Sequence, residues 1–132
     1  MNELIITLED GKKVNAEYKG HIMTTDQPER SGGDNSAPAP FDLFLASIGT
    51  CAGIYVKSFC EQRGINTTGI RIIQSMDYDP QKSLISQINL DIQVPEDFPE
   101  KYKAAMIKTA ELCAVKRHLE NPPVFNTSIS QK

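Results

Sequence analysis

The chain has 132 residues, of which 39% are hydrophobic and 23% charged, and its formal net charge is −3. A chain of this length suits one globular domain with its own core, so we expect a single domain over residues 1–132. A weakly acidic protein without runs of like charge offers no electrostatic basis for binding nucleic acid or an anionic membrane surface. We therefore expect no nucleic acid and no membrane among its partners.

The first part of the chain is predicted to form three strands and a long loop. The stretch "LIITLEDGKKVNAEY" has the alternation of a β-hairpin, with Asp10-Gly11 at its turn. A second turn at Lys19-Gly20 leads to a short strand at "HIMTT". Residues 26–40 are rich in Pro, Gly, Ser and Asn and predict a long loop, which is often functional when it is ordered.

A long apolar helix is predicted next, beginning near Pro40 and ending near Arg63, with Gly64 as its C-terminal cap. The stretch from Leu43 to Val56 carries no charge. This stretch is shorter than the roughly 17–25 residues that span a bilayer, and it contains small and hydroxyl-bearing residues. We therefore interpret it as a buried helix.

The second half of the chain predicts two strands, a helix and a last strand. "TGIRIIQSMDYD" and "SLISQINLDIQVP" have strand composition and are separated by a turn at 80–82. A helix is predicted over 96–120 and closed by Pro122-Pro123, and "VFNTSIS" predicts the final strand. The predicted order is βββ-α-ββ-α-β, which is an α+β fold.

The cysteine and histidine content indicates the compartment and argues against a metal. No secretory signal pattern opens the sequence, and the three cysteines are an odd number. Both features predict a reducing cytoplasm and no disulfide framework. His21 and His118 have no metal-ligand spacing with the cysteines, so we expect neither a metal nor another cofactor.

The three cysteines differ in their predicted roles. Cys60 follows Cys51 by about 900° of helical rotation, so it points to the other side of the helix and is predicted to be a buried structural thiol. Cys113 precedes Lys116 and Arg117 at helical spacing, and a cation beside a thiol favours the thiolate. The alternative is an ordinary solvated face with Cys113 packed beneath it. The spacing leaves both interpretations open.

The stretch "APAPFDLFLASIGTCAGIYV", followed further along by "LCAVKRHL", resembles the OsmC/Ohr family of thiol-dependent peroxidases. That family opens a central helix with Pro and an acidic residue, places a cysteine after a run of small residues, and adds a second cysteine downstream. The resemblance covers nearly the whole chain. It implies an OsmC-like α+β fold with a long, central, buried helix, and an intertwined homodimer with active sites at the subunit interface.

The resemblance also implies a reaction. Cys51 matches the thiol that attacks the peroxide, and Cys113 matches the thiol that resolves the sulfenic acid to a disulfide. An external dithiol then reduces the disulfide. An apolar pocket with Phe44, Ile48 and Tyr55 as walls would favour organic hydroperoxides.

The chain departs from the family pattern at the start of the helix. The family's peroxidases keep a Glu there that orients an Arg onto the thiolate, and the corresponding residue here is Phe41, which we add to the predicted pocket lining. Asp42, one position later, suits the helix N-terminus instead. The candidate cations near the thiolate are therefore Lys116, Arg117 and Arg30.

Two functions follow from these residues. The first is an OsmC-like hydroperoxide reductase that uses Cys51 and Cys113. The second is a non-peroxidase protein on the same fold that binds a small apolar or thiol-bearing ligand or senses redox state.

Overall fold

A computed structural model describes residues 3–131 of the chain. The elements in chain order are β1 (Ile5–Leu8), β2 (Val14–Tyr18), β3 (His21–Thr25), α1 (Pro40–Gln62), β4 (Arg71–Asp79), β5 (Leu84–Gln93), α2 (Lys103–Ala110) and α3 (Ala114–Glu120). Short 3₁₀ turns occur at Glu29–Ser31 and Glu100–Tyr102. The predicted α+β class is confirmed. The chain divides into two compact units, Met1–Ala46 and Ser47–Lys132.

The first unit contains an antiparallel sheet in the order β1-β2-β3. Pairing of Tyr18 with His21 leaves Lys19 and Gly20 as a two-residue turn, and both have positive φ, 52° and 80°. Two positive φ angles define the turn type whose twist matches that of the flanking strands, and glycine adopts this conformation without steric cost. Both predicted turns of this sheet therefore lie where the sequence placed them.

The long loop after β3 is organised around one buried carboxylate. Asp26 is fully buried and accepts hydrogen bonds from the N–H groups of Gln27, Asp34 and Ser36 and from the Ser36 hydroxyl, at 2.6–3.3 Å. These donors, led by the Ser36 hydroxyl, hold the pKa of Asp26 below its usual range. A Cβ at Gly33 would lie 2.1 Å from the Gln27 carbonyl oxygen, so this backbone approach requires glycine.

Helix α1 agrees with the predicted boundaries. It begins at Pro40 and ends at Gln62, and Gly64 follows with a φ of 67°, as expected of a C-terminal cap. One stripe of the helix is buried, and its members recur at helical spacing: Ile48, Ala52, Val56, Phe59 and Cys60. The other sides stay largely open, because Leu43 is 37% and Ile54 is 54% exposed.

By length and composition alone, the helix α1 could also cross a membrane, and the mean hydropathy of its most apolar window is 1.5. Its buried stripe forms part of a hydrophobic core with Phe98, Met106 and Ala110 in the second unit. Core helices of water-soluble proteins can have the same length and composition, and we interpret α1 as a core helix.

The second unit contains the two-stranded antiparallel sheet β4-β5. Its strands are joined through residues 80–83, which includes the predicted turn, and a bulge interrupts the register at Asp77 and Tyr78. Ile72 and Ile92 pack against the core from this sheet. The sheet therefore covers the α1 stripe from one side, while α2 supplies the core side chains Met106 and Ala110.

The prediction of one helix over 96–120 was wrong. A 3₁₀ turn precedes α2, which ends at Ala110, and a new helix begins at Ala114. Cys113 has extended backbone angles, φ −58° and ψ 147°, that cannot continue a helix. Its thiol instead accepts a hydrogen bond from the Lys116 N–H and caps α3.

The predicted last strand at 124–130 was also wrong. No strand is assigned between residues 121 and 131, and no hydrogen bond within the described chain involves residues 122–131. A strand requires a neighbouring ladder, and strand composition alone does not supply one. Val124, Phe125 and Ile129 are accordingly 85%, 86% and 95% exposed.

Candidate functional site

The three cysteines are all free thiols, but their surroundings differ. Cys51 lies on α1 and is half-buried, whereas Cys60 is fully buried. Burial raises the pKa of Cys60, against a smaller opposite effect of Arg63. The prediction that Cys60 is buried is confirmed, and its environment suits an inert thiol. Cys113 is 2% exposed.

Cys113 lines an apolar cleft of about 720 Å³ in the second unit. The cleft lies between α1, the β4-β5 sheet, α2 and α3, and its apolar lining includes Ile72, Leu90, Ile92, Met106, Ile107 and Leu119. Helix α1 contributes Ile48 and Ala52. These two residues flank Cys51, and the Ile48 side chain lies about 60° from that of Cys51 around the helix. The cleft lining thus includes Cys113 and two helix neighbours of Cys51, whereas Cys51 itself is not among the lining residues.

Two of the predicted cations lie on α3. Lys116 lines the cleft, and its Nζ is 3.9 Å from a Glu111 carboxylate oxygen and 4.0 Å from one of Glu120. These are long contacts between half-exposed or exposed groups and contribute little to stability. Arg117 is exposed on the same short helix. Of the three predicted cations, Lys116 is the one that lines the cleft, and Lys103 of α2 lines it as well.

Other predicted site residues lie in the first unit. Arg30 is exposed within the 3₁₀ turn at Glu29–Ser31. Phe41 and Phe44 stack on one another, with ring centroids 5.5 Å apart, and are 55% and 38% exposed. Asp42 lies in the first turn of α1, where a carboxylate interacts favourably with the helix dipole.

The predicted pocket walls on α1 face different cavities of the second unit. Ile48 lines the cleft, whereas Tyr55 lines a separate groove of about 360 Å³ with Ser58, Phe59 and Arg63. In that groove the Arg63 guanidinium lies 3.6 Å from the Phe59 ring centroid. This cation–π contact stabilises the fold, so the groove does not by itself indicate a ligand site.

Apart from Cys113 and Lys116, the cleft residues outside α1 were not predicted from the sequence. Every second residue of one part of β5 is apolar, and these residues line the cleft: Ile88, Leu90 and Ile92. The composition of this segment predicted a strand but not the surface against which the strand packs. Met106 and Ile107 come from α2, far along the chain. Within residues 3–131, no group of His, Cys, Asp and Glu side chains is arranged to hold a metal ion.

The family is decided by sequence comparison. The profile of the OsmC-like protein family matches residues 33–128, which include both Cys51 and Cys113. The chain belongs to the OsmC-like protein family. No curated protein matches it at a significant level.

Solved structures share the fold of this OsmC-like protein at low sequence identity. An osmotic stress induced and detoxification response protein from Psychrobacter arcticus superposes with a TM-score of 0.71 and 21% identity, covering 89% of this chain and 87% of that one. An OsmC-like protein from Mycoplasma pneumoniae gives 0.66 and 15%, covering 92% and 89%. An organic hydroperoxide resistance protein from Legionella pneumophila gives 0.53 and 17%, covering 89% and 88%.

Proposed function

We propose that this OsmC-like protein is a thiol-dependent hydroperoxide reductase in which Cys51 reacts with the peroxide and Cys113 resolves the product. The observation that carries the proposal is the cleft: Cys113 lines it together with Ile48 and Ala52, the neighbours of Cys51. The name of the Legionella pneumophila protein, which refers to organic hydroperoxide resistance, adds support. We place the protein in redox or stress defence on the same grounds.

The proposed reaction has three balanced steps. The Cys51 thiolate attacks the outer oxygen of ROOH and the O–O bond breaks, which gives Cys51–SOH and, after uptake of a proton, ROH. The Cys113 thiol then attacks the sulfenic sulfur, so that the Cys51–Cys113 disulfide forms and water leaves. An external dithiol exchanges with this disulfide, restores both thiols and becomes oxidised itself.

The apolar lining of the cleft supports an organic substrate. One wall of the cleft contains Ile72, Leu90 and Ile92. Burial of the alkyl part of an organic hydroperoxide against these side chains favours its binding, whereas hydrogen peroxide has no alkyl part to bury. Lys116 is the proposed cation for thiolate stabilisation, because it lines the cleft and its contacts with carboxylates are long. We keep Arg117 and Arg30 as weaker candidates.

We further propose a homodimer in a cytoplasmic, reducing compartment, with the whole chain as one domain. Exposed apolar residues of α1, such as Ile54 at 54%, support a covering partner. The family match runs across the boundary between the two compact units, which supports a single domain. The free thiols support a reducing compartment.

The test is peroxide consumption by the purified protein with a dithiol reductant, using cumene hydroperoxide and hydrogen peroxide in parallel. We expect faster consumption of the organic peroxide and a mass loss of two hydrogens that maps to Cys51 and Cys113. Cys51→Ser should abolish consumption, whereas Cys60→Ser is the matched control and should retain it. Full activity of the Cys51→Ser protein would refute the proposal.

The cleft itself favours a second function, the binding of a small apolar ligand without turnover. A volume of about 720 Å³ falls within the usual range for ligand pockets. This function predicts slow, unselective oxidation of all three cysteines and a thermal shift with apolar ligands. Met106 lines the cleft and is 2% exposed, so Met106→Lys places a charge in the apolar lining. This substitution should remove the thermal shift.

A further inference from the structure

We propose that α3 is a lid on the cleft that is released when Cys113 enters the disulfide, so that the apolar product leaves and an external dithiol reaches the sulfur atoms. This inference rests on the proposed function, because it needs the bond between Cys51 and Cys113. It gives the Cys113 thiol a second task, which is to hold α3 in place as long as the protein is reduced.

The reduced arrangement leaves the resolving thiol out of reach of a reductant. Cys113 is 2% exposed and lines the apolar cleft together with Lys116 and Leu119 of α3. Thiol–disulfide exchange requires direct attack of a thiolate on a sulfur atom, so access to that sulfur limits the rate. A disulfide at this buried position would exclude an external dithiol, and the alcohol formed from an organic hydroperoxide would stay in an apolar site. The proposed cycle therefore requires an element at the cleft to move.

Among the helices that line the cleft, α3 is the one with the weakest anchoring. Helix α1 has five buried residues and α2 has two, whereas none of the seven residues of α3 is buried. Strands β4 and β5 are tied to each other by their ladder. A helix as short as α3 is unstable by itself in water, and segments with few buried contacts open at the lowest free energy. We therefore assign the movement to α3.

The Cys113 thiol is the link that holds the start of α3. Its Sγ accepts a hydrogen bond from the Lys116 N–H at 3.3 Å, and so satisfies an N–H that the helix itself leaves without a partner. The Lys116 side chain adds only a long contact of 3.9 Å with Glu111 across the joint between α2 and α3, and both groups are partly exposed. Leu112, within this joint, is 60% exposed. Loss of the thiol cap therefore weakens the attachment of α3.

The cap and the disulfide make competing demands on one sulfur atom. The two Cα atoms joined through a disulfide lie about 4.4–6.8 Å apart, and the bond fixes the direction of both sulfurs. Cys51 is not among the residues that line the cleft, so the Cys113 Sγ has to turn from the cleft toward α1 to meet it. In this step the Cys113 S–H proton and the sulfenic hydroxyl of Cys51 leave as water, and the S–S bond forms. The Lys116 N–H then loses its acceptor, and α3 swings away from the cleft.

The release of α3 is tested by amide hydrogen exchange of the full chain, followed by NMR before and after a stoichiometric amount of cumene hydroperoxide. Amides 117–120 should exchange at least about threefold faster in the disulfide form, as expected for the loss of a weak cap, whereas the amides of α2 should change less. Cys51→Ser cannot form the disulfide and is the control, in which α3 should keep its reduced-state rates. Equal protection of α3 in the reduced and disulfide forms would overturn the proposal.

The cap is tested without any oxidation by two variants of the reduced protein. Cys113→Ala has no acceptor for the Lys116 N–H, so its α3 amides should exchange at the faster rate of the disulfide form. Cys113→Ser keeps an oxygen acceptor and should stay close to the wild type. If α3 is as well protected in Cys113→Ala as in the wild type, the thiol does not hold the helix and the proposal is wrong.

Opening of the cleft is followed by a fluorescent reporter. The chain has no tryptophan, so Leu119→Trp places a single indole in the cleft lining. His118→Trp is the matched control, because His118 is exposed on the same helix and does not line the cleft. Iodide quenching of the first variant should rise when the disulfide forms and fall again on reduction, whereas the control should change little. Unchanged quenching of the first variant would count against the lid.

Diamide separates this inference from the peroxidase chemistry, because it takes up the two thiol hydrogens and forms the disulfide without a peroxide. Faster exchange of α3 after diamide, in a protein that consumes no peroxide, supports the lid and refutes only the reductase activity. Peroxide turnover with α3 unchanged refutes only the lid. Failure of both oxidants to join Cys51 and Cys113 refutes both proposals.

Discussion

Cys113 caps α3 in the structure and is proposed to resolve the sulfenic acid, and two substitutions distinguish the structural role from the proposed one. Its thiol lines the cleft and also accepts a hydrogen bond from the Lys116 N–H at 3.3 Å, which caps α3. Cys113→Ser keeps an oxygen acceptor for the cap but cannot form a disulfide. Cys113→Ala loses both, and it also leaves a small void because the residue is 2% exposed.

The expected losses of unfolding free energy follow from these contacts. Replacing a capping residue by alanine costs about 0.5–2 kcal/mol, and a thiol is a weak acceptor, so the lower end applies. Removing a buried sulfur costs about 1 kcal/mol more, by comparison with a buried methylene. We therefore expect Cys113→Ala to lose about 1.5 kcal/mol, and Cys113→Ser to be more stable than Cys113→Ala by about 1 kcal/mol.

The unfolding free energies of both variants are measured by urea denaturation, with the same dependence on urea concentration fitted to each. In a separate experiment, peroxide-treated samples are analysed by intact mass. Both variants should lack the two-hydrogen mass loss and instead accumulate oxidised Cys51. If Cys113→Ala is as stable as the wild type, the capping argument is wrong. If either variant still forms a Cys51 disulfide rapidly, another thiol resolves the sulfenic acid and the assignment of Cys113 fails.

Three other positions give direct tests of the fold. Asp26→Asn replaces one carboxylate oxygen by an N–H₂ group, which would face either the Gln27 N–H or the Ser36 N–H, both of them donors, so hydrogen exchange across the loop should accelerate. Because the pKa of Asp26 is lowered in the folded state, its stabilising effect is present at neutral pH and is lost as the pH falls below its ordinary value of 3.8; the Asn variant should lack this acid dependence. Gly33→Ala should lower the melting temperature, since a Cβ 2.1 Å from a carbonyl oxygen forces the backbone to move; an unchanged value would contradict the close approach. Phe59→Ala should cost about 3–5 kcal/mol in urea unfolding, with Phe59→Leu as the milder control, because the ring is 3% exposed and contacts the core.

Most of the local structure could be predicted from the sequence. The element boundaries depend on backbone sterics, which are set by residues adjacent in the chain. These residues are the glycines of the two positive-φ turns, the proline at the start of α1 and the glycine after its end. The two-cysteine pattern in "GTCAG" and "LCAVK" likewise identified the family, and the profile match confirmed it.

Which residues contact one another depends on tertiary packing. Helical periodicity continues through residues 111–113, but the capping bond from the Lys116 N–H to Cys113 and the burial of that thiol favour a break there. The composition of "VFNTSIS" is that of a strand, yet strand formation depends on a partner ladder, which no composition supplies. The cleft at Cys113 combines side chains from α1, β5, α2 and α3, because packing in three dimensions, and not spacing along the chain, determines which apolar faces enclose the thiol.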